Sequence, residues 1–233
     1  MGFNLIDLNN IIHTLQIFKI KIENFTFLEL GEQEFKIKFN ENIPKNVKNF
    51  IESNPRNYKN NDTRYSFYAK DYLNSIFNFA DSVDIITKCS KTYKLDLGRP
   101  LHNQNFNKTY NVINNNGTTE HVGEFKGNYE TESYNPQYEA FKNIHNLIKK
   151  DGYVFNSVPH YNENKHGAYG YNVKFFIDLA EFNNYEIIYL YTDYRGELYH
   201  TYCCFKKLDN NKFIDINKFN KIRGLKKRRQ NKN

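Results

Sequence analysis

Midway along the chain, the apolar run Tyr110-Asn111-Val112-Ile113 leads through three asparagines into Gly117-Thr118-Thr119-Glu120-His121. Hydroxyls, a carboxylate and an imidazole packed this closely beyond a strand can orient a ligand and exchange protons with it. In open α/β sheets, ligands bind past the carboxyl ends of the strands, where turns crowd polar groups together. Glu120 and His121 are candidate catalytic residues, and His166 from a later loop is the third, since each can take a proton from a reacting group. The same segment also suits a plain turn at Asn115-Asn116-Gly117 with Thr118 as a helix cap, and His121 as a buried, hydrogen-bonded histidine.

Other polar groups stand where strands are expected to stop. Glu29 lies in the β-rich run 25–30 closed by Gly31, Asp84 in the run 82–87, and Asp96 in the run 92–97. An acid at a second-strand tip can accept hydrogen bonds from both hydroxyls of a ribose. Asp96 equally suits the capping of a loop before Pro100. The loop 160–172 carries His160, His166, Tyr161, Tyr169 and Tyr171 with Gly167 and Gly170. Such a loop can close on an acceptor, and its tyrosines can stack on a planar or sugar ring or simply pack on a sheet edge. His121, His160 and His166 are scattered without a His-x-Glu-x-His spacing, so no metal site is expected.

These residues need elements to position them. Leu5, Ile6, Leu8, Ile11, Ile12 and Leu15 fall at helical spacing. Phe35, Ile37 and Phe39 alternate with charged residues as an extended piece, and 36–62 reads as an irregular insertion around one short helix, with Pro44 and Pro55. A helix is expected over 68–79. The strongest helix spans 135–150, with Asn135 as cap, Pro136 in the first turn, an apolar stripe of Phe141, Ile144, Leu147 and Ile148, and Asp151-Gly152 as its end. A strand over 153–158, a helix over 173–182 and a closing strand pair, 185–192 and 199–205, complete an α/β sheet, mostly parallel with an antiparallel edge. One domain, 1–220, is expected.

Composition bounds the rest. The 233 residues carry a net charge of +7, and seven basic residues with no acid lie between Lys221 and Asn233. The remainder is formally neutral, which argues against a whole surface shaped for nucleic acid. Residues 221–233 read as a disordered basic tail able to meet phosphates or an acidic surface. Three cysteines, Cys89, Cys203 and Cys204, suggest neither a disulfide framework nor a metal site, and fit a reduced, cytoplasmic setting. No apolar run reaches membrane-spanning length.

The order Glu29-Leu30-Gly31, Val83-Asp84, Leu95-Asp96-Leu97, Asn116-Gly117-Thr118-Thr119-Glu120-His121-Val122 and Phe141 to Gly152 resembles class I S-adenosylmethionine-dependent methyltransferases. Within that superfamily it is similar to small phage, viral and bacterial methyltransferase-like proteins. They share the opening Met1-Gly2-Phe3-Asn4-Leu5-Ile6-Asp7-Leu8, the Gly-Thr-x-Glu-His motif and His166-Gly167-Ala168-Tyr169. The resemblance runs in order from residue 1 to about 205. It implies a Rossmann-like seven-stranded sheet with helices on both faces and S-adenosylmethionine as cofactor. Glu29, Gly31 and Gln33 would meet its methionine and sugar end, Asp84 the ribose and Asp96 the adenine. Asn116, Gly117 and Thr118 complete the implied cofactor set, while His160 and Tyr169 would contact the substrate.

The function expected is methyl transfer to a small molecule, sugar or glycan. The absence of an Asn-Pro-Pro-Tyr-type sequence after the fourth strand counts against amino-methylation of DNA bases. Two alternatives are a catalytically degenerate scaffold, suggested by the single glycine at Gly31 and by Asp151-Gly152, and a nucleic-acid accessory factor acting through the tail. Fold alone does not prove activity.

Overall fold

The computed structural model describes residues 3–38, 42–54, 64–87, 92–124, 134–162, 166–195 and 198–228. Where the sequence offers no boundary before its tail, the chain divides into two compact units, 1–94 and 95–233. Its strands are those of a Rossmann-like mixed sheet of seven.

In the first unit, Asn4 caps α1 (Leu5–Ile17) by accepting from the Ile6 and Asp7 N–H groups, and Asp7 accepts from the Asn4 N–H at 3.0 Å. This reciprocal box fixes the helix start. Strands β1 (Thr26–Leu30), β4 (Phe79–Asp84) and β5 (Thr92–Lys94) run parallel. The connection between β1 and β4 is more regular than the sequence suggests. In it, β2 (Glu34–Lys38) and β3 (Arg64–Tyr68) form an antiparallel ladder, with α2 (Lys45–Ser53) between them. Phe35 anchors this ladder, with ring centroids 5.2 Å from Phe3 and 5.1 Å from Phe67.

The helix expected over 68–79 is only α3 (Ala69–Leu73). Asn74 ends it by bonding both backbone groups of Ala80, at 3.0 Å and 2.7 Å, which turns the chain into β4. Strand β4 in turn stops at Asp84, three residues earlier than expected, because its Oδ1 accepts the Ile86 N–H at 3.0 Å in a local turn.

In the second unit, β6 (Tyr110–Asn116) runs parallel to β7 (Ile148–Pro159). Strand β10 (Leu198–Lys207) pairs antiparallel with β7 on one side and with β9 (Tyr185–Arg195) on the other. The antiparallel pairing therefore lies at the edge, with the reversed strand second from the end. Asn135 and Pro136 start α4 as expected, but α4 (Pro136–Leu147) ends three residues early. Ile148 pairs with Tyr110, so the chain leaves the helix directly into β7. Asp151-Gly152 thus lies within β7 and does not close the helix; the ladder skips there, Asp151 has φ +61°, and a side chain at Gly152 would meet the Asn111 carbonyl oxygen at 2.9 Å.

Asn172 caps α5 (Val173–Asn183), and Phe141, Tyr171, Phe175, Phe176 and Phe219 build the core beneath it. A short helix, α6 (Ile216–Phe219), precedes the basic segment. That segment corrects the disordered-tail expectation for residues 221–228. There β11 (Leu225–Lys227) pairs with β8 (Tyr169–Tyr171), and Arg223 makes a bidentate bond to the buried Asp178 at 3.0 Å. Together with Lys174, whose Nζ lies 3.0 Å from Oδ1, it compensates the only buried acid of α5. Cys203 and Cys204 are buried free thiols, and Cys89 lies outside the described residues. Among the described residues, no helix is long and apolar enough to cross a membrane.

Candidate functional site

The first unit gathers four of the expected residues at the carboxyl ends of β1 and β4. Gly31 turns the chain with φ +75°, a conformation that costs glycine little, while its N–H donates to the Val83 carbonyl at 2.8 Å. One residue on, the Glu32 N–H donates to Asp84 Oδ2 at 2.8 Å. The acid after β4 therefore grips the turn after β1. Gln33 is buried, and its carbonyl accepts the Ala69 N–H at 3.0 Å.

Glu29 is 1% exposed. Its Oε2 accepts the Gln33 N–H at 3.3 Å, and Oε1 has no hydrogen-bond partner among the described residues. Burial pushes its carboxyl well above the usual carboxylate range; the Gln33 N–H and the Lys70 ammonium pull the other way without prevailing. Lys70 is itself buried and donates to Ser82 Oγ at 3.1 Å and Thr92 Oγ1 at 2.6 Å. A cleft of about 770 Å³ also opens in this unit, lined by Phe50, Lys70, Phe79, Asp81 and Tyr93. It contains none of the four strand-tip residues and opens at the amino ends of β4 and β5, the end that ligands of parallel sheets do not use.

In the second unit, the Gly117 N–H extends the β6–β7 ladder by donating to the Ser157 carbonyl at 3.0 Å, and Gly117 takes φ +66°. The turn Thr119–His121 follows. Buried side chains hold it from two sides. Asn115 donates to Thr119 Oγ1 at 2.9 Å and accepts the Thr119 N–H at 3.2 Å. Gln137 donates to the Thr119 and Val122 carbonyls at 2.7 Å and 3.1 Å, and accepts the Tyr171 hydroxyl at 2.6 Å.

This frame brings the three expected catalytic residues together. Glu120 is fully buried, and neither carboxylate oxygen has a hydrogen-bond donor among the described residues. Its Oε1 lies 3.4 Å from His166 Nε2 and 3.7 Å from His121 Nε2. The two Nε2 atoms are 3.2 Å apart, with the imidazole planes at 85°. Glu124 meets His121 Nδ1 at 2.6 Å. The His166 loop is fixed by the Ala168 N–H donating to the Glu120 carbonyl at 2.9 Å, and Gly167 (φ +73°) leaves no room for a Cβ, which would sit 2.5 Å from Glu120 Cγ. Arg228 closes the loop from behind, donating to the carbonyls of Gly167 at 3.3 Å and His160 at 3.0 Å.

The remaining expected residues are placed differently. Asp96 caps its own loop, accepting the Gly98 N–H at 2.9 Å and lying 3.3 Å from Arg99 Nε. Asn116 is buried at the end of β6, and the Thr118 carbonyl accepts the His121 N–H at 3.0 Å. His160 stacks edgewise on Tyr161, with centroids 4.7 Å apart. Tyr169 is buried in β8 opposite Lys227, and burial raises its phenol pKa, so it supports the loop from within. Sequence reasoning missed Asn115, Glu124, Gln137 and Arg228. Only Glu124 had a local signal, its spacing of three from His121.

No known family profile matches the sequence, and no curated protein does. Among solved structures, the chain is similar to the 1,6-didemethyltoxoflavin-N1-methyltransferase of Burkholderia thailandensis with bound 1,6-didemethyltoxoflavin and S-adenosylhomocysteine: 10% identity, 85% of this chain and 76% of that one, TM-score 0.49. It is also similar to the N-methyltransferase NodS of Bradyrhizobium japonicum in complex with S-adenosylhomocysteine, at 10% identity over 84% and 86% of the chains, TM-score 0.44. An rRNA methylase of Streptococcus thermophilus follows, at 8% identity over 85% and 95%, TM-score 0.41.

Proposed function

We propose that the chain is an S-adenosylmethionine-dependent methyltransferase acting on a small polar acceptor, a sugar or glycan among the candidates. The observation that carries the reading is the bond from the Glu32 N–H to Asp84, which locks a glycine turn to an acid at the carboxyl ends of two parallel strands. Each Asp84 oxygen accepts one backbone N–H and keeps further acceptor capacity, as two ribose hydroxyls require. The buried Glu29 Oε1, without a donor among the described residues, suits a ligand group that supplies one. The donor set of the first unit therefore fits the cofactor: Asp84 would hold the ribose, with Glu29, Gly31 and Gln33 toward the methionine end.

When bound, the cofactor supplies a sulfonium methyl open to in-line attack. In the second unit, Asp96 is assigned to adenine recognition and Asn116, Gly117 and Thr118 to the cofactor, as the resemblance implies. Glu120, His121 and His166 face the acceptor, where positioning supplies much of the rate and a proton acceptor is needed only for a protic nucleophile. His160 borders the acceptor side, with Tyr169 beneath. A small acceptor is favoured over nucleic acid because two of the seven basic C-terminal residues, Arg223 and Arg228, are engaged internally.

Calorimetric titration of S-adenosylmethionine tests the reading. Saturable binding that Asp84→Ala weakens about tenfold or more, the loss of a charge-assisted bond pair, supports it. No binding to the folded chain overturns it.

A further inference from the structure

Glu120, His121 and His166 each offer one ligand atom, all within 4.8 Å of one another, and all three belong to the second unit. We propose that they form a binding site for one divalent transition-metal cation, a 2-His-1-carboxylate set that the sequence spacing conceals.

Four observations carry this. The first is geometry. The ligand atoms form a triangle with sides of 3.2, 3.4 and 3.7 Å. A point in its plane is about 2.0 Å from all three corners, and lifting an ion slightly above the plane gives bonds of about 2.1 Å at near-tetrahedral angles, the lengths Zn–N and Zn–O bonds take.

The second is the state of Glu120. Its side chain is fully buried and both oxygens lack a hydrogen-bond donor among the described residues, a costly condition for a carboxylate unless a cation compensates it. Oε1 points at both imidazoles. The third is an outer partner. Glu124 lies 2.6 Å from His121 Nδ1, which leaves Nε2 as the nitrogen facing Glu120 and His166. A carboxylate behind a histidine is the outer partner that metal-binding histidines commonly have.

The fourth is access. The His121 and His166 side chains are 37% and 25% exposed, so an ion can enter from the imidazole side while Glu120 forms the floor. Two imidazoles and one carboxylate select a first-row divalent ion such as Zn²⁺, Mn²⁺, Fe²⁺ or Co²⁺ over Mg²⁺, which prefers oxygen ligands. Three protein ligands leave positions open for water or an oxygen-bearing acceptor; that last use alone rests on the methyltransferase reading.

The test uses the full chain stripped with a chelator and no methyl donor, so its failure is separate from a failure of cofactor binding. Zn²⁺ is titrated calorimetrically and Co²⁺ by visible absorption. One cation per chain is expected, with the intense d–d bands of a four- or five-coordinate site. His121→Ala and His166→Ala should each weaken binding at least about 100-fold, more than loss of an outer partner costs, while circular dichroism stays unchanged. Glu120→Gln is measured too, but its buried position makes the two partly exposed histidines the decisive variants. Zn²⁺ should also raise the melting temperature of the parent chain and leave that of His166→Gln unmoved. Absence of binding, or binding undiminished in the double histidine variant, overturns the proposal.

Discussion

Two buried glutamates sit near the carboxyl ends of parallel strands, one in each unit, and their surroundings differ. Glu29 has one backbone donor at 3.3 Å, and burial drives its carboxyl toward the protonated form. Glu120 has no hydrogen-bond donor among the described residues but two imidazole nitrogens within 3.7 Å. A carboxyl taken out of water must be compensated by a proton or by a cation. Burial favours the first route for Glu29. Glu120, with two imidazole nitrogens facing it, is arranged for the second.

The largest way to break this contrast is Gly167→Ala. The new Cβ would meet Glu120 Cγ at 2.5 Å on a backbone with φ +73°. A loss of about 2–4 kcal/mol in urea unfolding is expected from strain plus overpacking. A neutral result would mean that the His166 loop does not set the position of Glu120.

Glu124→Gln probes the contrast more gently. The amide oxygen can still accept from His121 Nδ1, yet the support of a full charge is gone. Zn²⁺ affinity should fall about tenfold, with stability held within about 0.5 kcal/mol.

The smallest effect, and the sharpest on sign, belongs to Glu29→Gln. The folded pKa of Glu29 is raised, so between its ordinary value of 4.5 and that higher value the native state binds more protons than the unfolded one. Native stability from this group is complete below pH 4.5 and is lost as pH rises through the window. Near pH 5 the variant should match the parent within about 1 kcal/mol, and toward pH 8 it should become the more stable of the two. A parent curve that rises relative to the variant would show Glu29 to be a compensated carboxylate after all.

The sequence exposed features that depend on neighbours a few residues away. Asn135-Pro136 announced the start of α4, and Gly31 and Gly117 marked two turns that do require positive φ. What it hid depends on distant pairing. The end of α4 is set by Ile148 meeting Tyr110, and the β2–β3 ladder joins segments on either side of α2. Glu120 and His121 were legible beside each other. His166 was named with them, but the return of its loop to hydrogen-bond the Glu120 backbone is a pairing no local pattern encodes. The pairing of the basic segment was hidden for the same reason, since composition cannot show that Arg223 will find Asp178.

The clamp formed by Arg228 has a consequence for how the protein comes into being. Chains fold from the amino end as they are synthesised. The carbonyls of Gly167 and His160 take their donor from a residue made 61 and 68 positions later, and β8 waits for β11 as its partner. On the ribosome, strands β6 and β7 can pair while the His166 loop still lacks its brace. The Glu120–His121–His166 cluster is thus completed late in biogenesis, once the chain around it has already taken shape.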